Sequence, residues 1–244
     1  MIKANYGFVA HRGMHSLKQS LPENSLGAFK LAMQNRFAIH FEVQLTFDNE
    51  AIVFGDADFK RLCSLDMQPS DCYLEEATRL MLNGTQYKVL SLKQALEAIN
   101  GEVPILIEVL DEAAGNEIGI LEEKIILALK EYHGVFAIMS KNPMVTLWFK
   151  NHYPNIERGQ VVNETEADGV SSFLKRTLLK TQALNFVSSP NFIVYNIDDL
   201  KEGYAMECRK KNLPILGYTA RTEEQLKKAK ELCDGIIFEE IAVT

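Results

Sequence analysis

Short apolar runs recur along the 244 residues with helix-patterned stretches between them, and this rhythm restricts the fold more than any other feature. The runs are Gly7–Ala10, Ala38–Leu45, Pro104–Val109, Val135–Ser140, Gly159–Val162, Phe192–Asn196, Pro214–Thr219 and Gly235–Phe238. Strands apolar on both faces must be covered on both, which is the condition of parallel βαβ units. The intervening stretches supply the cover. Asn24-Ser25 caps a helix through Phe29, Ala32 and Met33, followed by Leu92–Ile99, Leu121–Tyr132 and Pro143–Lys150, the last with proline at its start. Ser171–Ala183, Glu202–Lys210 and Glu223–Leu232 complete the set. Eight such units in a chain near the ~250 residues of one barrel predict an α/β fold, a (β/α)8 TIM barrel forming a single domain over residues 1–244. Residues 55–90 exceed an ordinary connection. With a short extra strand at Ala51–Phe54 before them, they read as a small insertion after the second strand, a candidate lid beside the barrel mouth.

Composition narrows the function classes. Hydrophobic residues at 47% supply a large core, and a net charge of −7 without any Lys/Arg block argues against a nucleic-acid partner. The four cysteines are scattered at 63, 72, 208 and 233, with neither zinc-finger nor CxxC spacing, and read as free thiols of a reducing compartment. No apolar leader precedes Gly7, and no run approaches the roughly 20 residues needed to cross a bilayer. A cytoplasmic protein without a membrane span is expected.

In a barrel of this kind the chemistry sits where the strands end at their C-terminal side. Those ends form a polar series: His11-Arg12-Gly13; His40, Glu42 and Gln44; Glu108; Ser140-Lys141-Asn142; Gln160; Asn196; Tyr218. Strand alternation puts His40, Glu42 and Gln44 on one face, with Ile39, Phe41 and Val43 on the other. An inward-facing polar triplet is costly unless it binds something.

Ala10-His11-Arg12-Gly13, then Pro22-Glu23-Asn24-Ser25 and Ala28-Phe29, resembles the opening signature of glycerophosphodiester phosphodiesterases. Gln44-Leu45-Thr46, Ile52 through Asp56, Arg61, Pro104 through Glu108, Ser140 with Asn142-Pro143, Arg158-Gly159-Gln160 and Asp234 through Ile237 extend the match over nearly the whole chain. The resemblance implies metal-assisted cleavage of a phosphodiester. In that family Ca²⁺ or Mg²⁺ is held by three carboxylates, two histidines transfer protons, and an arginine and a lysine compensate the phosphate charge.

Carried over by position, His11, Arg12 and Glu108 match, and Glu42 stands where an aspartate is usual. His40 replaces the first metal-binding glutamate, Gly55 the second histidine, Leu110 the lysine and Tyr218 a tryptophan. The expected site therefore has His11, Arg12 and Asp56 as catalytic candidates and His40, Glu42 and Glu108 as metal candidates. Lys141, Gln160, Asn196 and Tyr218 are the substrate-binding candidates. Two carboxylates, a neutral imidazole and a leucine carry the same formal charge as three carboxylates and a lysine, so charge balance survives the exchange. An imidazole shifts preference from Mg²⁺ or Ca²⁺ toward Mn²⁺ or Zn²⁺. Alternatively, His40 is an internal cation in place of a metal, or Glu42 and Glu108 pair with Arg12 or Lys141, or with a protonated His40. His15, His133 and His152 are assigned no role, Trp148 and Phe149 read as helix packing, and Lys227, Lys228 and Lys230 as a solvated face. Two functions stay open. One is a phosphodiesterase with reduced activity in lipid metabolism; the other is a catalytically silent barrel, metal-free, that binds a phosphate-containing small molecule.

Overall fold

A computed structural model describes residues 6–110, 118–162 and 188–243. The chain divides into two compact units, residues 10–136 and residues 1–9 with 137–244.

In the first unit, β2 (Ala38–Leu45) and β5 (Ile105–Val109) run parallel, with Glu42 opposite Glu108. β3 (Ala51–Val53) folds back antiparallel on β2, and β4 (Leu90–Ser91) on β3. β4 is invisible in the sequence pattern, because two residues show no alternation and pairing with β3 alone defines them. Ser25 caps the helix Leu26–Gln34 by accepting from the Ala28 amide at 3.2 Å. Ser91 and Gln94 form a reciprocal capping box on Leu92–Ile99. The expected insertion is built from the short helices Lys60–Cys63 and Leu74–Ala77 and from 3₁₀ turns. It has its own core of Ile52, Phe54, Phe59, Leu62, Cys72, Ala77, Leu82 and Val89, so burial rather than regular hydrogen bonding fixes it.

In the second unit, β6 (Phe136–Ser140), β7 (Arg158–Val162), β8 (Phe192–Asn196), β9 (Ile215–Ala220) and β10 (Gly235–Phe238) follow in chain order, each parallel to the next. The helices Pro143–His152, Glu202–Lys210 and Glu223–Leu232 lie between them in sequence. Gly159 packs so tightly that a Cβ would stand 2.2 Å from the Phe192 ring, so any larger residue there must displace that ring. The expected helix Ser171–Ala183 lies outside the described residues. All four cysteines are free thiols, and burial pushes the Cys233 thiol up to about 12. Among the described residues no helix is long and apolar enough to cross a membrane.

Candidate active site

β1 (Phe8–His11) ends in a turn that two left-handed residues make, Arg12 at φ 57° and Gly13 at φ 76°. A Cβ at position 13 would meet Ala28 and Phe29 at 2.9 Å, so glycine answers both the conformation and the lack of room. The amide of Asn24 donates to the Arg12 carbonyl at 2.9 Å, and that of Met14 to Ala28 at 3.0 Å. These bonds tie the His11-Arg12-Gly13 turn to the Pro22–Ser25 segment, so the two sequence elements act as one piece.

The inward triplet of β2 behaves as alternation predicts, each member engaging different partners. His40 Nε2 lies 3.0 Å from Glu108 Oε2, and both residues are buried. Glu42 accepts from Arg12, whose Nε and Nη2 each lie 2.6 Å from Oε1, and from Asn24 Nδ2 at 2.9 Å on Oε2. Burial would raise the Glu42 pKa. Arg12, then His40 and His11, and the Asn24 hydrogen bond outweigh it and hold the carboxyl well below the usual range. Gln44 donates to the carbonyls of Phe54 and Asp56, both at 2.9 Å, and so pins the backbone on either side of Gly55.

An alternating chain of charges runs outward from Glu42. Arg12 also donates to Glu23, Glu23 accepts from Arg61 at 2.6 and 2.8 Å, and Arg61 grips Asp56 through Nε and Nη2 at 2.7 and 2.8 Å. Asp56 is therefore engaged by the arginine five residues after it. Glu23, Asn24 and Arg61 receive no role from sequence reading, although all three lie in segments that resemble the family. Their contacts span up to 38 residues, which no local pattern encodes.

Gly55 has a structural counterpart. A Cβ there would lie 2.9 Å from Arg12 Nη2 and 3.0 Å from both Arg12 Cζ and Glu42 Cδ. The guanidinium–carboxylate pair occupies the space that a side chain at position 55 would need.

His11 is 7% and His40 1% exposed, and their rings stack with centroids 5.0 Å apart and planes at 14°. His11 Nε2 lies 4.0 Å from Glu42 Oε1. One donor atom each from His11, His40 and Glu42 falls within a 4.8 Å cluster. Glu108 pairs with His40 and is not part of that cluster; the sequence reading left both a ligand role and a pairing with His40 open. A Mg²⁺ or Ca²⁺ ion takes oxygen donors, and here His40 places an imidazole beside Glu108 Oε2 and Glu42. The oxygen-only donor set of the family's ion is not reproduced.

Of the substrate-binding candidates in the second unit, Gln160 is buried and braces the backbone. Its amide donates to the Ser140 and Lys141 carbonyls at 3.0 Å and accepts from Thr146 at 3.3 Å. Asn196 accepts from the Asp198 amide at 2.9 Å and pairs in register with the half-buried Tyr218. Lys141 is half-buried at the start of the turn after β6.

The glycerophosphoryl diester phosphodiesterase family model matches residues 11–243. No curated protein sequence matches the chain. Among solved structures, an Oleispira antarctica phosphodiesterase in complex with the product sn-glycerol-3-phosphate is 20% identical with a TM-score of 0.76, covering 96% of this chain and 92% of its own. A glycerophosphodiester phosphodiesterase from Parabacteroides distasonis is 18% identical with a TM-score of 0.77, covering 97% and 93%. One from Thermotoga maritima is 20% identical with a TM-score of 0.72, covering 95% and 93%. These likenesses show the fold, a (β/α)8 barrel. The chain belongs to the glycerophosphoryl diester phosphodiesterase family.

Proposed function

We propose that this chain recognises a glycerophosphodiester-type ligand and hydrolyses it far more slowly than its family's chemistry allows. The reading takes the whole chain as one domain, supported by a family match that spans both units. The observation that carries it is the Arg12–Glu42 pair lodged in the space beside Gly55. Family chemistry needs an arginine that meets the phosphate and a second proton-transfer group at position 55. Here Arg12 is turned onto Glu42 and Glu23, glycine transfers no proton, and Arg61 holds Asp56, the nearest stand-in. Leu110 brings no charge. Phosphate recognition is supported by the Oleispira antarctica relative, whose structure contains sn-glycerol-3-phosphate. Gln160 serves as a backbone brace, and Lys141, Asn196 and Tyr218 as ligand-contacting groups.

General acid–base catalysis by one group is typically worth about 10²–10⁴-fold, and a misdirected charge-compensating arginine acts on the same developing charge. Glycerol-3-phosphate release from glycerophosphocholine, with Mg²⁺, Ca²⁺ and Mn²⁺ supplied in turn, is expected to fall several orders of magnitude below the ~1–10³ s⁻¹ of ordinary enzymes. Calorimetry with sn-glycerol-3-phosphate is expected to show saturable binding. The combined change Gly55→His, His40→Glu, Leu110→Lys raises turnover, whereas Gly55→His alone does little. Turnover in the ordinary range by the unmodified protein overturns the reading.

A further inference from the structure

A core histidine is normally satisfied at both ring nitrogens or at neither. His40 is not. Its Nε2 faces Glu108 Oε2 at 3.0 Å, while its Nδ1 is buried and has no hydrogen-bond partner among the described residues. A carboxylate at Glu108 can only accept, and that arrangement puts the proton on Nε2 and the lone pair on Nδ1. An imidazolium would instead leave a buried N–H unpaired at Nδ1, a costly state. One nitrogen donating to a carboxylate and the other bare is how proteins orient a metal-binding histidine.

One further observation points the same way. His11 and Glu42 bring donor atoms within 4.8 Å of His40, and all three residues are buried. Among the described residues, the hydrogen-bonded groups at this place also include four carboxylates, Glu23, Glu42, Asp56 and Glu108, and two guanidinium groups, Arg12 and Arg61.

We infer that His11, His40 and Glu42 form a site for a first-row transition-metal dication such as Zn²⁺, Co²⁺ or Fe²⁺, and that Glu108 orients His40 without binding the ion. Two imidazoles and one carboxylate are the donor set that such metals accept and that Mg²⁺ and Ca²⁺ do not favour. Bonds of ~2.0–2.2 Å at zinc place donors closer together than the 4.0 Å between His11 Nε2 and Glu42 Oε1, so binding requires the two nearly parallel rings to turn toward a common point and Arg12 to give up part of its hold on Glu42. His11 becomes a ligand in this arrangement and no longer serves as a proton donor, which deepens the slow-turnover reading at the same site.

The test uses the full chain, made without a polyhistidine tag and stripped by chelator. Zn²⁺ and Co²⁺ are titrated by competition with a chromophoric chelator, and Mg²⁺ and Ca²⁺ by calorimetry. Zn²⁺ is expected to bind at least 100-fold more tightly than Mg²⁺ or Ca²⁺. His11→Ala weakens Zn²⁺ by at least 100-fold, and Glu108→Gln by the ~10–100-fold typical of an orienting partner. Because a variant in the core can misfold, X-ray absorption of the Zn²⁺-loaded unmodified protein counts imidazoles directly, and two are expected. One imidazole, no saturable Zn²⁺ binding, or tight Ca²⁺ binding abolished by Glu108→Gln each overturns the inference. Calorimetry with sn-glycerol-3-phosphate on the stripped protein separates the two readings. Ligand binding without Zn²⁺ binding removes only this inference, and Zn²⁺ binding without ligand binding removes only the proposed function.

Discussion

Two polar regions of this protein solve burial in opposite ways. Around Glu42, charges neutralise one another in a chain of arginines and carboxylates, with His40 left half satisfied. Around Gln160, a neutral amide closes onto the Ser140 and Lys141 carbonyls and the Thr146 hydroxyl. The second arrangement is complete in itself and serves as architecture. The first leaves one buried nitrogen without a partner among the described residues, the feature that the inferred metal would satisfy.

The sharpest way to break the comparison is to remove one member from each region. Arg12→Ala strands the buried Glu42 carboxylate, and losing one partner of a buried pair costs roughly 3–5 kcal/mol. The value here belongs at about 3, since 21% of the Arg12 side chain is exposed. Gln160→Ala leaves only neutral carbonyls and a hydroxyl unpaired, for about 1–3 kcal/mol. Urea unfolding of both variants checks the order. Equal losses would mean that the charged chain carries no special cost.

Next in size is Gly55→Ala. With a Cβ 2.9–3.0 Å from the Arg12–Glu42 pair, overpacking of about 1–3 kcal/mol is expected. In the Arg12→Ala background two of the three close atoms are gone and only Glu42 Cδ remains, so the same change costs less, and a double-mutant cycle reads the difference. Strict additivity would show that Gly55 and Arg12 do not compete for space.

The smallest effect is in acid. Burial raises the Glu23 pKa, but the Arg61 hydrogen bonds and the charges of Arg12 and Arg61 bring it below the ordinary value. A depressed carboxyl stabilises the fold above its unfolded pKa, roughly 4.3, and that stability drains away as pH falls through the lower folded value. Glu23→Gln should flatten the loss between pH 5 and pH 3. An unchanged slope would place the acid sensitivity elsewhere in the chain of charges.

The sequence revealed the strands that matter, because alternation along Ala38–Leu45 sorts His40, Glu42 and Gln44 from their apolar neighbours without help from tertiary contacts. It also exposed the missing groups at 55 and 110, since their absence is a matter of residue identity. What stayed hidden is pairing at a distance. Pairing of Glu42 with Arg12 and of Glu108 with His40 could be named only as alternatives to metal binding, and nothing local says that Arg61 bridges Glu23 and Asp56. Each depends on a backbone conformation such as the left-handed Arg12, which ordinary side chains rarely adopt and which only the surrounding fold selects.

The Gln44 amide, bonded to the carbonyls on both sides of position 55, has an engineering consequence. It works as a clamp that indexes the backbone at that point whatever side chain is mounted there. A histidine introduced at 55 would therefore inherit a fixed anchor, and the obstacle to seating it is the Arg12–Glu42 pair. Functional recovery in this barrel becomes a problem of clearing a socket, with no loop to rebuild.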